Sequence, residues 1–386
     1  MSAPLTIIGS GMAGLGLLRA LRALDAERPV TLITADGGDD YAKPLLSTGF
    51  AKRLPPDRLA ARSALRVAEE LNAVVRTHTR VEAIDTAART LRIGAERLPW
   101  SELVLATGAA PAVPFALPAA VAGRVFTIND LEDYRAFHAA LAALGRPGRV
   151  AIVGAGLVGC EFANDLLAGG HEVSLVAPET APLARLLPEP LGRALGEAFE
   201  AAGMTLALGG GVTALEDAGA DLGVALDDGS RLVADLVLVA TGLRPRTALA
   251  QAAGLAVSAA GIHTDRCLAT SVPGIHALGD VACVDGVSAM YVQPLQASAK
   301  ALARTLTGTP TPVAYGPWPV VVKTPLLPVV ALPPTRPPAR WRIEGEAGDL
   351  TALAESEDGR LIGFALTGAC VRRKVELARV APPLLG

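Results

Sequence analysis

The chain has 386 residues, more than one ordinary core holds, and this implies two or three domains. Its formal net charge of −3 argues against a general nucleic-acid binder. Although 51% of the residues are hydrophobic and the mean hydropathy is +0.39, no run reaches the roughly 18 uninterrupted apolar residues that span a bilayer. The nearest run, 109–123, is broken by Pro111, Pro114 and Pro118. The first apolar stretch has no basic segment before it and runs into glycines, so the expectation is a cytoplasmic protein without a signal peptide or membrane span. The four cysteines, Cys160, Cys267, Cys283 and Cys370, form no C-x-x-C pair. No metal site is expected from them.

The first element is the apolar strand of LTIIGSGMAGLGLLRAL, followed by a glycine turn and a helix with apolar periodicity. Gly9, Gly11 and Gly14 fit G-x-G-x-x-G: a tight turn, close backbone approach to a pyrophosphate, and close helix-to-strand packing. The helix N-terminus adds free N–H groups and a positive dipole. A second strand, VTLITAD, ends at Asp36, about twenty residues after the last glycine, where a carboxylate can hold a ribose hydroxyl.

The same logic returns at RVAIVGAGLVGCEFANDL, with Gly154, Gly156 and Gly159. The strand EVSLVAPE follows and ends near Glu179. Roughly ninety residues after each fingerprint comes nearly the same phrase, ELVLATGAAP (Glu102–Pro111) and DLVLVATGLRP (Asp235–Pro245). Self-similarity at this scale predicts duplicated modules. A third phrase, GIHALGDVA (Gly274–Ala282), occurs in one module only and ends a strand in Gly279-Asp280.

In this order the motifs resemble the pyridine nucleotide–disulfide oxidoreductase superfamily over residues 1 to about 316, with a smaller domain after it. The resemblance implies an α/β fold of two Rossmann-like dinucleotide-binding domains plus an α+β C-terminal domain. It implies an FAD domain at 1–112 and 246–316, an NADH domain inserted at 113–245, and a C-terminal domain at 317–386. Gly9, Ser10, Gly11, Met12, Ala13 and Gly14 would then cradle the FAD pyrophosphate, and Asp36 would take the adenosine ribose. The backbone of Val81 would meet the adenine. Thr107 and Gly108 would lie at the crossover, Asp280 at the ribityl chain and Val292 near the pyrimidine edge. Gly154, Gly156, Leu157, Val158, Gly159, Glu179 and Gly242 are implied for NADH, and Glu161 for the nicotinamide pocket, paired with a lysine such as Lys43. Lys43 and Lys323 are expected beside the isoalloxazine, where positive charge stabilises the reduced flavin. Glu179, with no basic residue before Arg185, would repel a 2′-phosphate, so NADH is expected over NADPH.

No cysteine precedes Cys160, so the long-spaced N-terminal dithiol of the disulfide reductases is absent and electrons are expected to leave the flavin directly. The stretch DDYAKPLLSTGFAK (Asp39–Lys52) is similar to reductases of small iron–sulfur proteins, most of all the bacterial rubredoxin reductases. TINDLEDYRAF, TGLRPRT, MYVQP and VAYGPWPVVVKTP extend that likeness to the C-terminal part. Thr48 stands where the related ferredoxin reductases usually carry a basic residue. The implied partner is rubredoxin, the implied role electron supply, for example to alkane degradation, and a monomer is expected. Ferredoxin or flavorubredoxin reductases share these motifs and stay open. So does a redox sensor or signalling flavoprotein, whereas an oxidase or peroxidase conflicts with the missing cysteine. The basic run Arg372, Arg373 and Lys374 reads first as a solvated helix face and second as a docking patch. The proline-rich stretch Thr324–Trp341 is expected as extended edge structure, with antiparallel strands after it that turn at Glu357–Gly359.

Overall fold

The computed structural model describes residues 3–386. The strand Leu5–Ile8, buried at every residue, pairs in parallel with Val30–Ile33 on one side and Glu102–Leu105 on the other. Val74–Arg76 and Ile275–Ala277 close the two edges of this five-stranded sheet. Helices cover the sheet, so its strands read as continuous apolar runs. Helix Met12–Arg22 crosses helix Val292–Leu306 at Gly16, where an added Cβ would sit 3.7 Å from that of Ala299.

The second module repeats the plan. Arg149–Val153 is flanked in parallel by Glu172–Ala177 and Leu236–Val239, with Thr205–Leu208 and Val125–Phe126 at the edges. The edge strand beside the Thr-Gly strand comes from far along the chain in the first module and from just before the fingerprint in the second. Each module also carries a three-stranded antiparallel sheet ahead of its Thr-Gly strand, 83–99 in the first and 212–234 in the second. Beyond the Thr-Gly turns, Ala109–Pro111 and Leu243–Pro245 pair with each other as one antiparallel ribbon. The two crossings between modules therefore lie side by side.

The C-terminal unit is a five-stranded antiparallel sheet in the order Val320–Val322, Val329–Leu332, Leu361–Thr367, Asp349–Glu355, Arg340–Glu346. Here the edge reading of the proline-rich stretch is corrected, because Val329–Leu332 is an interior strand. Pro328 and Pro333 stand just outside it, so every N–H the ladder uses is available. Alternation divides the sheet into two faces. Val329, Ala331, Ala352 and Ala365 join the core that contains Leu191, Leu195 and Phe199 of the second module. Val330, Leu353, Phe364 and Leu366 are covered by Leu377 of the last helix, Lys374–Val380. Among the described residues no helix is long and apolar enough to cross a membrane.

Candidate active site

Both fingerprints build the same turn. At Gly9 and Gly154 φ is +113° in each, and an added Cβ would meet the carbonyl oxygen of Ala106 at 2.2 Å or of Ala240 at 2.5 Å. At Gly14 and Gly159 a Cβ would strike the oxygen of Gly9 at 1.9 Å or of Gly154 at 1.8 Å, which lets each helix sit hard against its strand. Gly11 and Gly156 differ from these. They cap the helices at φ −63° and −77°, which any residue adopts, and a Cβ there meets nothing within 4 Å. Neither backbone strain nor protein packing requires glycine at these two positions. What a side chain would occupy is the space in front of the free helix amides, where a pyrophosphate approaches. The residues present therefore fit a dinucleotide in each module.

The two turns open on one cleft of about 1830 Å³. Single-ligand pockets run to roughly 1,000 Å³, so this space suits two large ligands together. Of the sequence-derived residues, Gly9, Ser10, Gly11, Met12, Ala13, Asp36, Lys43, Val81, Thr107, Gly108, Asp280, Val292 and Lys323 line its first half. Gly154, Gly156, Leu157, Val158, Glu161, Glu179 and Gly242 line the second. Gly14 and Gly159 are corrected: they do not reach the cleft, because their role is the helix-to-strand contact behind it. Asp36 is fixed by Thr34, whose hydroxyl donates to Oδ1 at 2.6 Å, and by the Gly38 amide at 3.0 Å. These bonds and the Ser10 hydroxyl all use Oδ1, leaving Oδ2 for a ligand.

Where the two halves meet, polar groups from all three units converge. Glu161, 5% exposed, accepts from the Ser47 hydroxyl at 2.8 Å and from the Lys323 backbone amide at 3.0 Å. It also pairs with the Lys323 ammonium, which donates in addition to the carbonyl of Pro44 at 2.6 Å and to Ser47 at 2.7 Å. The expected pairing of Glu161 with Lys43 is thereby corrected. Lys43 instead donates to Asn129 Oδ1 at 2.6 Å, and Asn129 donates onward to the Ala109 carbonyl at 3.0 Å. Burial lowers the Lys43 pKa, while the nearby Asp280 carboxylate opposes that shift. Burial raises Asp280 in turn, opposed by Lys43. The arrangement presents one cation held by a neutral amide and one paired with a buried carboxylate.

Ser47, Asn129 and Arg246 line the same space and were not singled out from the sequence. They sit inside phrases that were recognised, but nothing local marks them as pocket residues. Burial pushes the Cys160 thiol well up, and its Sγ donates to the Ala155 carbonyl at 3.3 Å, as befits a packed side chain. The four cysteines are free, so no disulfide stands between the cleft and an acceptor.

Residues 3–302 match the pyridine nucleotide-disulphide oxidoreductase family, and residues 312–380 match the rubredoxin binding C-terminal domain. A relative from Alcanivorax borkumensis called rubredoxin-NAD(+) reductase is 43% identical over 99% of each chain. One from Vibrio vulnificus called nitric oxide reductase FlRd-NAD(+) reductase is 38% identical over 98% of each. Among solved structures, a ferredoxin reductase from Rhodopseudomonas palustris superposes with a TM-score of 0.85 at 26% identity, over 95% of this chain and 91% of its own.

Proposed function

Because the chain belongs to the pyridine nucleotide-disulphide oxidoreductase family, we propose that it is an FAD-dependent reductase that oxidises NADH and passes the electrons to rubredoxin. The observation that carries this reading is the pair of glycine cradles opening on one cleft, to which a rubredoxin-binding type of domain contributes Lys323. The chemistry that FAD supplies when bound is acceptance of a hydride and its release as single electrons, which an iron–sulfur centre takes one at a time.

The chain supplies alignment and charge. The amides from Gly9 to Ala13 and the helix behind them hold the flavin pyrophosphate, and Asp36 Oδ2 takes the ribose. Val81 meets the adenine, Thr107 and Gly108 flank the crossover, and Asp280 and Val292 face the ribityl chain and ring. Lys43, held by Asn129, would place positive charge beside the bound ring. Gly154, Gly156, Leu157, Val158 and Gly242 seat NADH, with Glu179 at its adenosine ribose. Glu161, immobilised by Lys323 and Ser47, borders the nicotinamide. We assign residues 1–112 and 246–316 to the FAD domain, 113–245 to the NADH domain and 317–386 to the acceptor domain, in a cytoplasmic monomer.

The likeness at 38% to a FlRd-NAD(+) reductase favours one second reading, a flavorubredoxin as acceptor. Anaerobic NADH oxidation with rubredoxin, flavorubredoxin, ferredoxin and oxygen tests both. Rapid rubredoxin reduction with slow transfer to the others is expected. Rapid flavin reduction without rubredoxin turnover would keep the hydride chemistry and discard the partner.

A further inference from the structure

We propose that Asp165 and Asn164 are positioning residues for hydride transfer. They fix, through backbone amides, the segments that carry Ser47 and Lys323 against the helix that receives NADH. The inference rests on the NADH reading given above.

Glu161, Asn164 and Asp165 lie at i, i+3 and i+4 on helix Leu157–Ala168 and so share one face. Each accepts a backbone N–H from another unit of the molecule. Asp165 Oδ2 accepts from Phe50 at 3.1 Å and Oδ1 from Ala51 at 2.9 Å, so one carboxylate clasps two successive amides. Asn164 Oδ1 accepts from Leu326 at 3.2 Å. Glu161 accepts from Lys323 at 3.0 Å. The first clasp holds the end of the segment that starts at Lys43 and includes Pro44 and Ser47, both of which bind the Lys323 ammonium. The other two hold both ends of the stretch from Lys323 to Leu326.

A carboxylate is a costly way to fill this position. Asp165 is 3% exposed on a helix that also buries Glu161 and Asn164 beside it and Cys160, Phe162, Ala163 and Leu166 around the rest of its surface. Burial raises its pKa, with the two backbone N–H bonds and, farther off, Lys323 and Lys52 opposing. An aliphatic residue would pack without that desolvation. What Asp165 adds is a fixed register between the segment and the helix. The segment's side chains are gripped as well: the Phe50 ring stacks on His138 at 5.5 Å, and a Cβ on Gly49 would meet the Tyr134 hydroxyl at 2.2 Å. The N-terminus of the same helix, at Gly156, faces the NADH pyrophosphate in this reading. One helix, Leu157–Ala168, therefore ties the dinucleotide site to both lysine-bearing segments.

In Asp165→Asn the amide group must aim a donor at one of two donors, so the clasp fails with little change in volume. Displacements near an ångström at a reacting pair can slow a reaction by up to about a hundredfold. In the flavin-loaded full chain, NADH-driven flavin reduction measured by stopped flow is expected to slow at least about tenfold. NADH affinity should stay within about twofold, because the cradle amides are untouched. Hydrogen exchange in the peptide 43–52 should quicken, in flavin-free and flavin-loaded protein alike. Asn164→Ala should quicken exchange around 323–328 and slow reduction more modestly, and it serves if the first variant does not fold. A wild-type reduction rate in the folded variants, with only a lower melting temperature, would overturn the proposal and leave these residues purely structural. Unchanged exchange would overturn it too. If the unsubstituted holoenzyme is not reduced by NADH, the functional reading fails, and the exchange measurement still decides the clasp.

Discussion

Two side chains have roles that solution measurements can separate. Glu179 lies two residues past the strand Glu172–Ala177, at the rim of the cleft. A carboxylate about 4 Å from a phosphate in a half-wet site opposes it by roughly 1–4 kcal/mol. Glu179→Ala is therefore expected to raise kcat/KM for NADPH about tenfold, one step of roughly 1.4 kcal/mol, and to lower it for NADH through loss of the ribose contact. Steady-state rates with both coenzymes check this, and an unchanged ratio would remove Glu179 from the selectivity argument. Asp235 acts on stability instead. It directly precedes the strand Leu236–Val239, is 3% exposed, and accepts from Nη1 and Nη2 of Arg146 at 2.8 Å each and from the Arg149 amide at 2.8 Å. Burial alone would raise its pKa, but the bonds from Arg146 and Arg149 outweigh that and hold it well below the usual carboxylate range. A depressed folded pKa stabilises the native state above the unfolded value of roughly 3.9, and the stabilisation fades as pH falls below it. In Asp235→Asn the melting temperature should drop at pH 7, and the deficit should shrink as the pH is lowered through 4 toward 2. The glycines, Asp36 and Glu179 are legible in sequence because their demands are local: a turn, a helix start, a strand end. Asp165 is not, because its partners lie 115 and 114 residues away and are amides, which every position except proline possesses.

At the scale of elements, the two parallel sheets follow from strand and helix phrases repeated in order, and this much the motifs announce. The three-stranded inserts inside each module are also repeated, but their short alternating strands carry no signature. The C-terminal sheet shows why prolines mislead. Val329–Leu332 needs its ladder groups only over four residues, so prolines immediately outside it do no harm. The same sheet settles where the basic run falls. Arg373 folds back to Thr351 at 3.3 Å, while Arg372 and Lys374 are exposed beside helix Lys374–Val380, on the face covered by Leu377. The opposite face packs against the NADH module, and the residues of this unit that line the cleft are Pro319, Val320, Val321 and Lys323 near its edge strand. The run is thus a solvated face separated from the cleft by the sheet. Replacing Arg372 and Lys374 by Ala is expected to leave acceptor reduction and its salt dependence within about twofold, since exposed charges beyond a Debye length of roughly 10 Å are screened. A marked loss of association rate would relocate the docking surface to this helix.

For the molecule as a whole, the defining feature is a cleft of about 1830 Å³ between units that are otherwise closely joined. The ribbon of Ala109–Pro111 with Leu243–Pro245 and the Glu161–Lys323 pair are two of the links across it. Neither link replaces the contacts a flavin would make with the Gly9–Ala13 turn, Asp36 and Asp280, so folding and flavin binding are thermodynamically coupled. A ligand that binds only the native state at a hundred times its Kd adds about 2.7 kcal/mol. For a chain of 386 residues that is a rise in melting temperature of roughly 3 °C. Flavin-free protein should therefore melt lower by about that amount in calorimetry, and added FAD should restore the loss in a concentration-dependent way. NAD⁺ should add a smaller increment with or without FAD, because the chain alone builds its cradle at Gly156 and holds Glu161 through Ser47 and Lys323. If added FAD gave no shift at all, the reading of the first fingerprint as a flavin site would fail.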